Sequence, residues 1–154
     1  MQCVFIVDLW GLSTMIRTFS ELSRLRTLQE RFNYLRLNSS IGYTTFGFDR
    51  YLNQGFYNSA EWKKIRREVI ARDLGCEMGL DGYEIAGKIV VHHMNPVLPQ
   101  DIVDYTDFLT DLEYLVCVSE EMHKAIHYSD DEILKAYRVV DRFSGDTCPW
   151  KVHI

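Results

Sequence analysis

Four of the five histidines in this chain of 154 residues stand in two places: His92 and His93 close the β-branched run Ile89-Val90-Val91, while His123 and His127 lie four residues apart further on. The first pair reads as the end of a strand that stops at Pro96, because proline cannot donate to a ladder. The second pair lies in SEEMHKAIHY, a helix for which Ser119 supplies an N-cap. Residues four apart share one helix face, so His123 and His127 come within reach of a single ion. Side chains alternate along a strand, so His92 and His93 point to opposite sides. With the strand folded against the helix, one strand imidazole can join the helical pair on an ion while the other faces a substrate. Three imidazoles on an ion leave a position open for a substrate oxygen, whereas four would close the site into a structural one.

The surrounding pattern supplies the other elements. Thr18 with Glu21, and Thr27 with Glu30, form two capping-box pairs, so residues 15–37 read as two short helices or one broken helix starting near Met15. Leu22, Leu25, Phe32 and Leu35 face inward, and Asn38, Ser39 and Gly42 end the segment. Residues 43–57 are rich in Tyr, Phe, Gly and Asn without a helical period, which predicts an aromatic-packed connector and a candidate boundary. Ser59 caps the helix AEWKKIRREVIARD, in which Trp62, Ile65, Val69 and Ile70 form an apolar stripe and Gly75 follows as a C-cap. Trp62 is read as core, and Arg72 as an ion-pair partner of Asp73. Lys63, Lys64, Arg66 and Arg67 stand on the polar face, as phosphate contacts or as a plain solvated surface. A polar loop follows Pro96, EYLVCV reads as a second strand, and Ser129 with Glu132 opens a last short helix. The tail after Asp141, with His153, carries no period.

The net charge of −5 argues against a general nucleic-acid coat protein, yet the average conceals a division. Residues 1–72 carry 11 Lys and Arg against 6 Asp and Glu, whereas residues 73–154 carry 6 against 16. A basic front half can track phosphates while the acidic remainder discourages indiscriminate binding. Arg17, Arg24, Arg26, Arg31 and Arg36 belong to that half and could meet DNA, although packing of their helices against the rest of the chain, or against another protein, is the favoured use. The four cysteines, Cys3, Cys76, Cys117 and Cys148, lie far apart with no CxxC pair, which fits reduced thiols and a cytoplasmic protein. No apolar run reaches the length of a membrane span, so no membrane partner is expected. Residues 1–14 are either an extension or a short packing segment.

HHMNP followed by DLEYLVCVSEEMHKAIHY resembles the ββα-metal core of HNH endonucleases, also called His-Me finger proteins, and within them small phage-encoded members of the three-histidine branch. The lead-in FYNSAEWKKIRREVIARD before a cysteine extends the resemblance from Phe56 to Tyr128. It implies an α+β fold, mostly helical, in which a short antiparallel hairpin and a helix form the metal finger and N- and C-terminal helices pack around it. The implied organisation is a helical and aromatic extension over 1–55, the nuclease domain over 56–138 and a tail over 139–154. By position, His93 corresponds to the general base, and His92, His123 and His127 to the metal ligands. The resemblance implies one divalent ion (Mg, Mn, Ni or Zn), DNA as substrate with Lys63, Lys64, Arg66 and Arg67 on its phosphates, and products with 5′-phosphate and 3′-hydroxyl ends.

Two departures from the pattern stand out. Tyr114 occupies the position of the family's asparagine, where its hydroxyl can brace the finger by reaching a backbone partner. Of the four positions that hold a structural zinc in many relatives, only Cys76 is retained, with Gly79, Ser119 and Met122 at the others. No second zinc is therefore expected, and Cys117 reads as a buried small hydrophobe. Two alternatives stay open: a non-catalytic DNA- or protein-binding module whose four histidines close around a zinc, and a degenerate HNH protein serving as a partner in phage packaging. A phage-encoded protein would act in the host cytoplasm.

Overall fold

The computed structural model describes residues 5–7, 13–37 and 50–137. It is an α+β fold. Strand β1 (Phe5–Val7) pairs antiparallel with β2 (Ser13–Met15), and helices α1 (Phe19–Leu22), α2 (Leu28–Leu35), α3 (Arg50–Asn58) and α4 (Ala60–Arg72) follow. Strand β3 (Ile89–His93) pairs antiparallel with β4 (Leu115–Ser119) across a connection that carries α5 (Pro99–Asp104) and α6 (Asp107–Thr110). Helix α7 (Glu120–Tyr128) leaves directly from β4, and 3-10 turns lie at Glu77–Gly79, Leu112–Tyr114 and Glu132–Tyr137.

The β3–β4 pair divides two cores, and strand alternation assigns each side chain to one of them. Val116 and Val118 enter the first core with Leu22, Phe32, Leu35, Met78, Met94, Met122 and Ile126. Leu115, Cys117 and Val91 enter the second with Phe56, Trp62, Ile65, Val69 and Leu109. All five residues of β4 are buried, so the strand reads as a continuous apolar run rather than an alternating one. Each large side chain withdrawn from water here contributes roughly 2 kcal/mol before the entropy of ordering is subtracted. Helices α1 and α2 thus build half of the core on which α7 sits.

Pairing with β3 satisfies only one edge of β4. On the other edge, the N–H of Cys117 donates to Asp73 Oδ2 at 2.7 Å and the N–H of Ser119 donates to Glu77 Oε2 at 3.0 Å. Both carboxylates are buried. Asp73 is paired with Arg72 at 2.7 Å, and Arg72 also donates to the carbonyls of Leu112 and Leu115 and lies 3.4 Å above the Phe19 ring. Glu77 accepts the hydroxyl of Tyr137 at 2.7 Å, which ties the last 3-10 turn to the sheet. Two acidic residues four apart thus cap alternate N–H groups of an edge strand. Gly79, at φ 64°, lets the turn approach, since a Cβ there would lie 3.1 Å from Phe19 and 3.2 Å from Asp73.

Local signals set the helix starts. The side-chain oxygens of Thr18, Thr27, Ser59 and Ser119 each accept an N–H from the first turn of their helices. Thr27 and Glu30 complete a capping box, but Glu21 turns away to accept the hydroxyl of Tyr34 at 2.6 Å, so the Thr18 pair does not. Helix α4 ends with Leu74 N–H on Ala71 O and Gly75 N–H on Ile70 O, with Leu74 itself at φ 54°. The left-handed C′ position therefore falls on Leu74, one residue before the expected glycine.

Several expectations are corrected. Met15 lies in β2 and the first helix starts after Thr18. Within the expected connector, residues 50–58 form α3, because packing of Phe56 on Trp62 at 5.1 Å outweighs the weak helix propensity of its Gly and Asn residues. The polar loop after Pro96 holds α5 and α6, with Pro99 at the permissive start of α5. Ser129 closes α7 at φ 54° and donates to the carbonyl of Leu37, while Asp130 caps the last turn through the N–H of Glu132. Residues 38–49, with Asn38, Ser39 and Gly42, lie outside the described residues, as do Cys3, Cys148, His153 and the tail over 139–154.

Candidate metal centre

The strand and helix bring three imidazoles together. His92 leaves β3 on the side of the first core, where α7 packs; Met122, Ala125 and Ile126 anchor that helix and leave His123 and His127 on its flank. The rings of His123 and His127 lie 4.5 Å apart between centroids, and that of His92 lies 5.1 and 5.2 Å from them, nearly perpendicular to each. One ring nitrogen from each residue falls within 4.8 Å of the other two. The Nε2 atoms of His123 and His127 face each other at 3.2 Å. His92 is buried, and its Nε2 has no hydrogen-bond partner.

That unsatisfied nitrogen is costly in a protein interior, and a cation bound to it would remove the cost. Burial and mutual repulsion hold the rings neutral. His92 is pushed well below its ordinary value by desolvation and then by His123 and His127; His123 falls to about 4 through desolvation and then His127 and His93, and His127 is lowered by desolvation. Neutral imidazoles with converging lone pairs are the donor set of a divalent transition ion. The residues fit such a group, and His92, His123 and His127 would hold it; three imidazole nitrogens favour zinc or nickel over the oxygen-seeking magnesium without naming one ion.

His93 is placed differently. Alternation turns it to the second core, where its ring lies stacked on Trp62 at 5.3 Å and 11° and Tyr57 meets it edge-on at 6.2 Å. Its Nε2 lies 3.3 Å from the carbonyl of Leu109, so Nε2 carries the proton and Nδ1 is left as the acceptor. Desolvation lowers its pKa to about 4, against the opposing pull of the Leu109 bond and Asp101. The ring is neutral at pH 7 in one tautomer, and it is not a member of the three-imidazole group.

The remaining site expectations divide. Tyr114 braces the hairpin through its backbone, whose carbonyl accepts the N–H of Met94 at 2.9 Å. Its ring rests on Phe108 at 4.7 Å, and among the described residues its hydroxyl reaches no backbone partner, contrary to the expected brace. Lys63, Lys64 and Arg67 are exposed on α4, with Lys64 3.8 Å from Glu68. Arg66 is half-buried and donates to the carbonyl of Ile89 at 2.7 Å, which ties one side of its guanidinium to the fold. Arg31, buried beneath α2, donates to the carbonyls of Met78, Leu25 and Ser23.

Three residues beside the site were missed or undervalued from sequence. Asn95 exchanges two 2.8 Å hydrogen bonds with the backbone of Arg17 and so pins the chain just past the histidine pair. An Asn before a proline was the only signal for it. Leu109 acts through its carbonyl, which no side-chain pattern reports. Trp62 is core as expected, and it also supplies the surface on which His93 lies. No protein-family model matches this chain, and no curated protein or solved structure matches it.

Proposed function

We propose that the chain is a metal-dependent endonuclease of the HNH type that hydrolyses phosphodiester bonds in DNA. The observation that carries this reading is the division of labour among adjacent histidines. Three imidazoles form one group, while the fourth is held neutral, in one tautomer and outside it. The order β3, β4, α7 is compatible with a ββα-metal finger. A structural zinc closed by four imidazoles would require His93 in the group, and its ring lies instead on Trp62.

In this reading His93 Nδ1 takes a proton from the water that attacks phosphorus, and Nε2 stays bonded to Leu109. His92 and His93 are neighbours at the end of one strand, so a phosphate laid across that end can address both sides. A divalent ion held by His92, His123 and His127 supplies charge stabilisation to the phosphate and the leaving oxygen. Lys63, Lys64 and Arg67 provide phosphate contacts. A role in phage genome packaging, in a host cytoplasm, belongs to the same reading by family analogy alone. Among the described residues, no helix is long and apolar enough to cross a membrane.

Plasmid relaxation with magnesium, manganese, nickel and zinc tests the proposal. Wild-type protein is expected to nick or cut with at least one ion, and His93→Ala to lose about 10²- to 10⁴-fold in rate while still binding metal. Wild-type protein inert with every ion, or a fully active His93→Ala protein, removes it.

A further inference from the structure

We infer that Trp62 is a positioning residue for His93, holding the plane of the imidazole in which Nδ1 must meet its proton; this inference rests on the nuclease reading. Tyr57 meets one edge of the His93 ring at 6.2 Å, and two closer contacts set where the ring points. The Leu109 carbonyl, 3.3 Å from Nε2, limits rotation within the ring plane, and the indole, at 5.3 Å and 11°, limits the tilt of that plane. An aliphatic side chain of similar bulk would fill the space without restricting tilt, whereas an aromatic face does both.

The indole is itself held in place. Trp62 is 6% exposed and packs against Phe56 at 5.1 Å and Tyr57 at 5.2 Å. Its backbone N–H donates to the Ser59 N-cap at 3.0 Å, so the first turn of α4 is locked where the indole leaves it. His92 leaves the opposite face of β3, where α7 carries His123 and His127, so removing the indole leaves the ligand group standing.

The test compares Trp62→Phe with Trp62→Leu under saturating metal. Trp62→Leu is expected to lose about 10- to 100-fold in kcat with KM and metal affinity within about threefold of wild type, because a misaligned base costs rate rather than binding. Trp62→Phe keeps a flat face and should restore kcat to within about fivefold of wild type. A measurement on the unaltered protein stands beside these: the carbon-bound ring protons of His93 should be displaced upfield by the indole ring current in its NMR spectrum. Equal losses in the Phe and Leu variants, a change in KM alone, or His93 ring protons at ordinary positions overturn the inference and leave the nuclease reading intact. Wild-type protein that cuts with no ion while its His93 protons are displaced overturns the nuclease reading, and this catalytic role with it.

Discussion

One carboxylate oxygen of Asp73 accepts the N–H of Cys117 at 2.7 Å, so a side chain stands where a third β-strand would otherwise pair. Asp73→Ala strips that N–H of its partner and leaves the Arg72 guanidinium without its buried counter-ion. The expected loss is about 3 kcal/mol of unfolding free energy, against about 1 kcal/mol for Ser59→Ala at an ordinary helix cap. Urea titrations of the two variants check this; equal losses would show that Asp73 is no more than a surface ion pair.

His92 leaves a buried ring nitrogen unsatisfied in the metal-free fold. Because its Nε2 is buried without a partner, His92→Leu should change metal-free stability by less than about 1 kcal/mol. The same substitution should abolish stabilisation by zinc or nickel, which for a bound ion at a hundred times its Kd amounts to about 2.7 kcal/mol. Thermal melts with and without metal report both quantities. Undiminished protection by metal would remove His92 from the ligand set.

The depressed histidines make stability depend on pH in a defined direction. His93 and His123 fall from 6.5 in the unfolded chain to about 4 in the folded one. Between those values the unfolded chain binds protons that the folded chain does not, so their stability contribution is full above 6.5 and is lost as pH falls towards 4. Each ring contributes at most about 1.4 kcal/mol per pH unit, less where solvent screens it. Tm of metal-free protein should therefore drop through this window and level off below it. A flat profile would mean the rings are better solvated than the fold implies.

Neighbours on α4 should behave unlike one another. Arg66→Ala removes a bond to the Ile89 carbonyl, which costs about 1 kcal/mol of stability and leaves the salt dependence of DNA binding unchanged. Arg67→Ala, on the exposed side, should leave stability alone and reduce the slope of log K against log salt by about 1. Binding isotherms across salt concentrations separate the two; a reduced slope for Arg66→Ala would show that its backbone bond gives way to phosphate.

Much of the candidate site was legible because its signals are local. Alternation along β3 sent His92 and His93 apart, spacing on α7 put His123 and His127 together, and the caps at Thr27, Ser59 and Ser119 stood where the residue types placed them. Each of these depends on backbone geometry within a few residues. Where propensity was weak, as in Arg50–Asn58, the helix came from packing of Phe56 on Trp62, and the local pattern was silent.

The sequence alone determined which residues could act: the strand pair, the helical pair, the basic face of α4 and the starts of the main helices. Tertiary structure decided what each one meets. It bonded Arg66 to the Ile89 carbonyl, gave the bracing role of Tyr114 to its carbonyl, laid His93 on Trp62 under the Leu109 carbonyl, and capped the edge of β4 with Asp73 and Glu77. The physical reason is that caps and periodicity are short-range, whereas a buried hydrogen bond or stacked ring depends on which distant segment the hydrophobic core brings alongside.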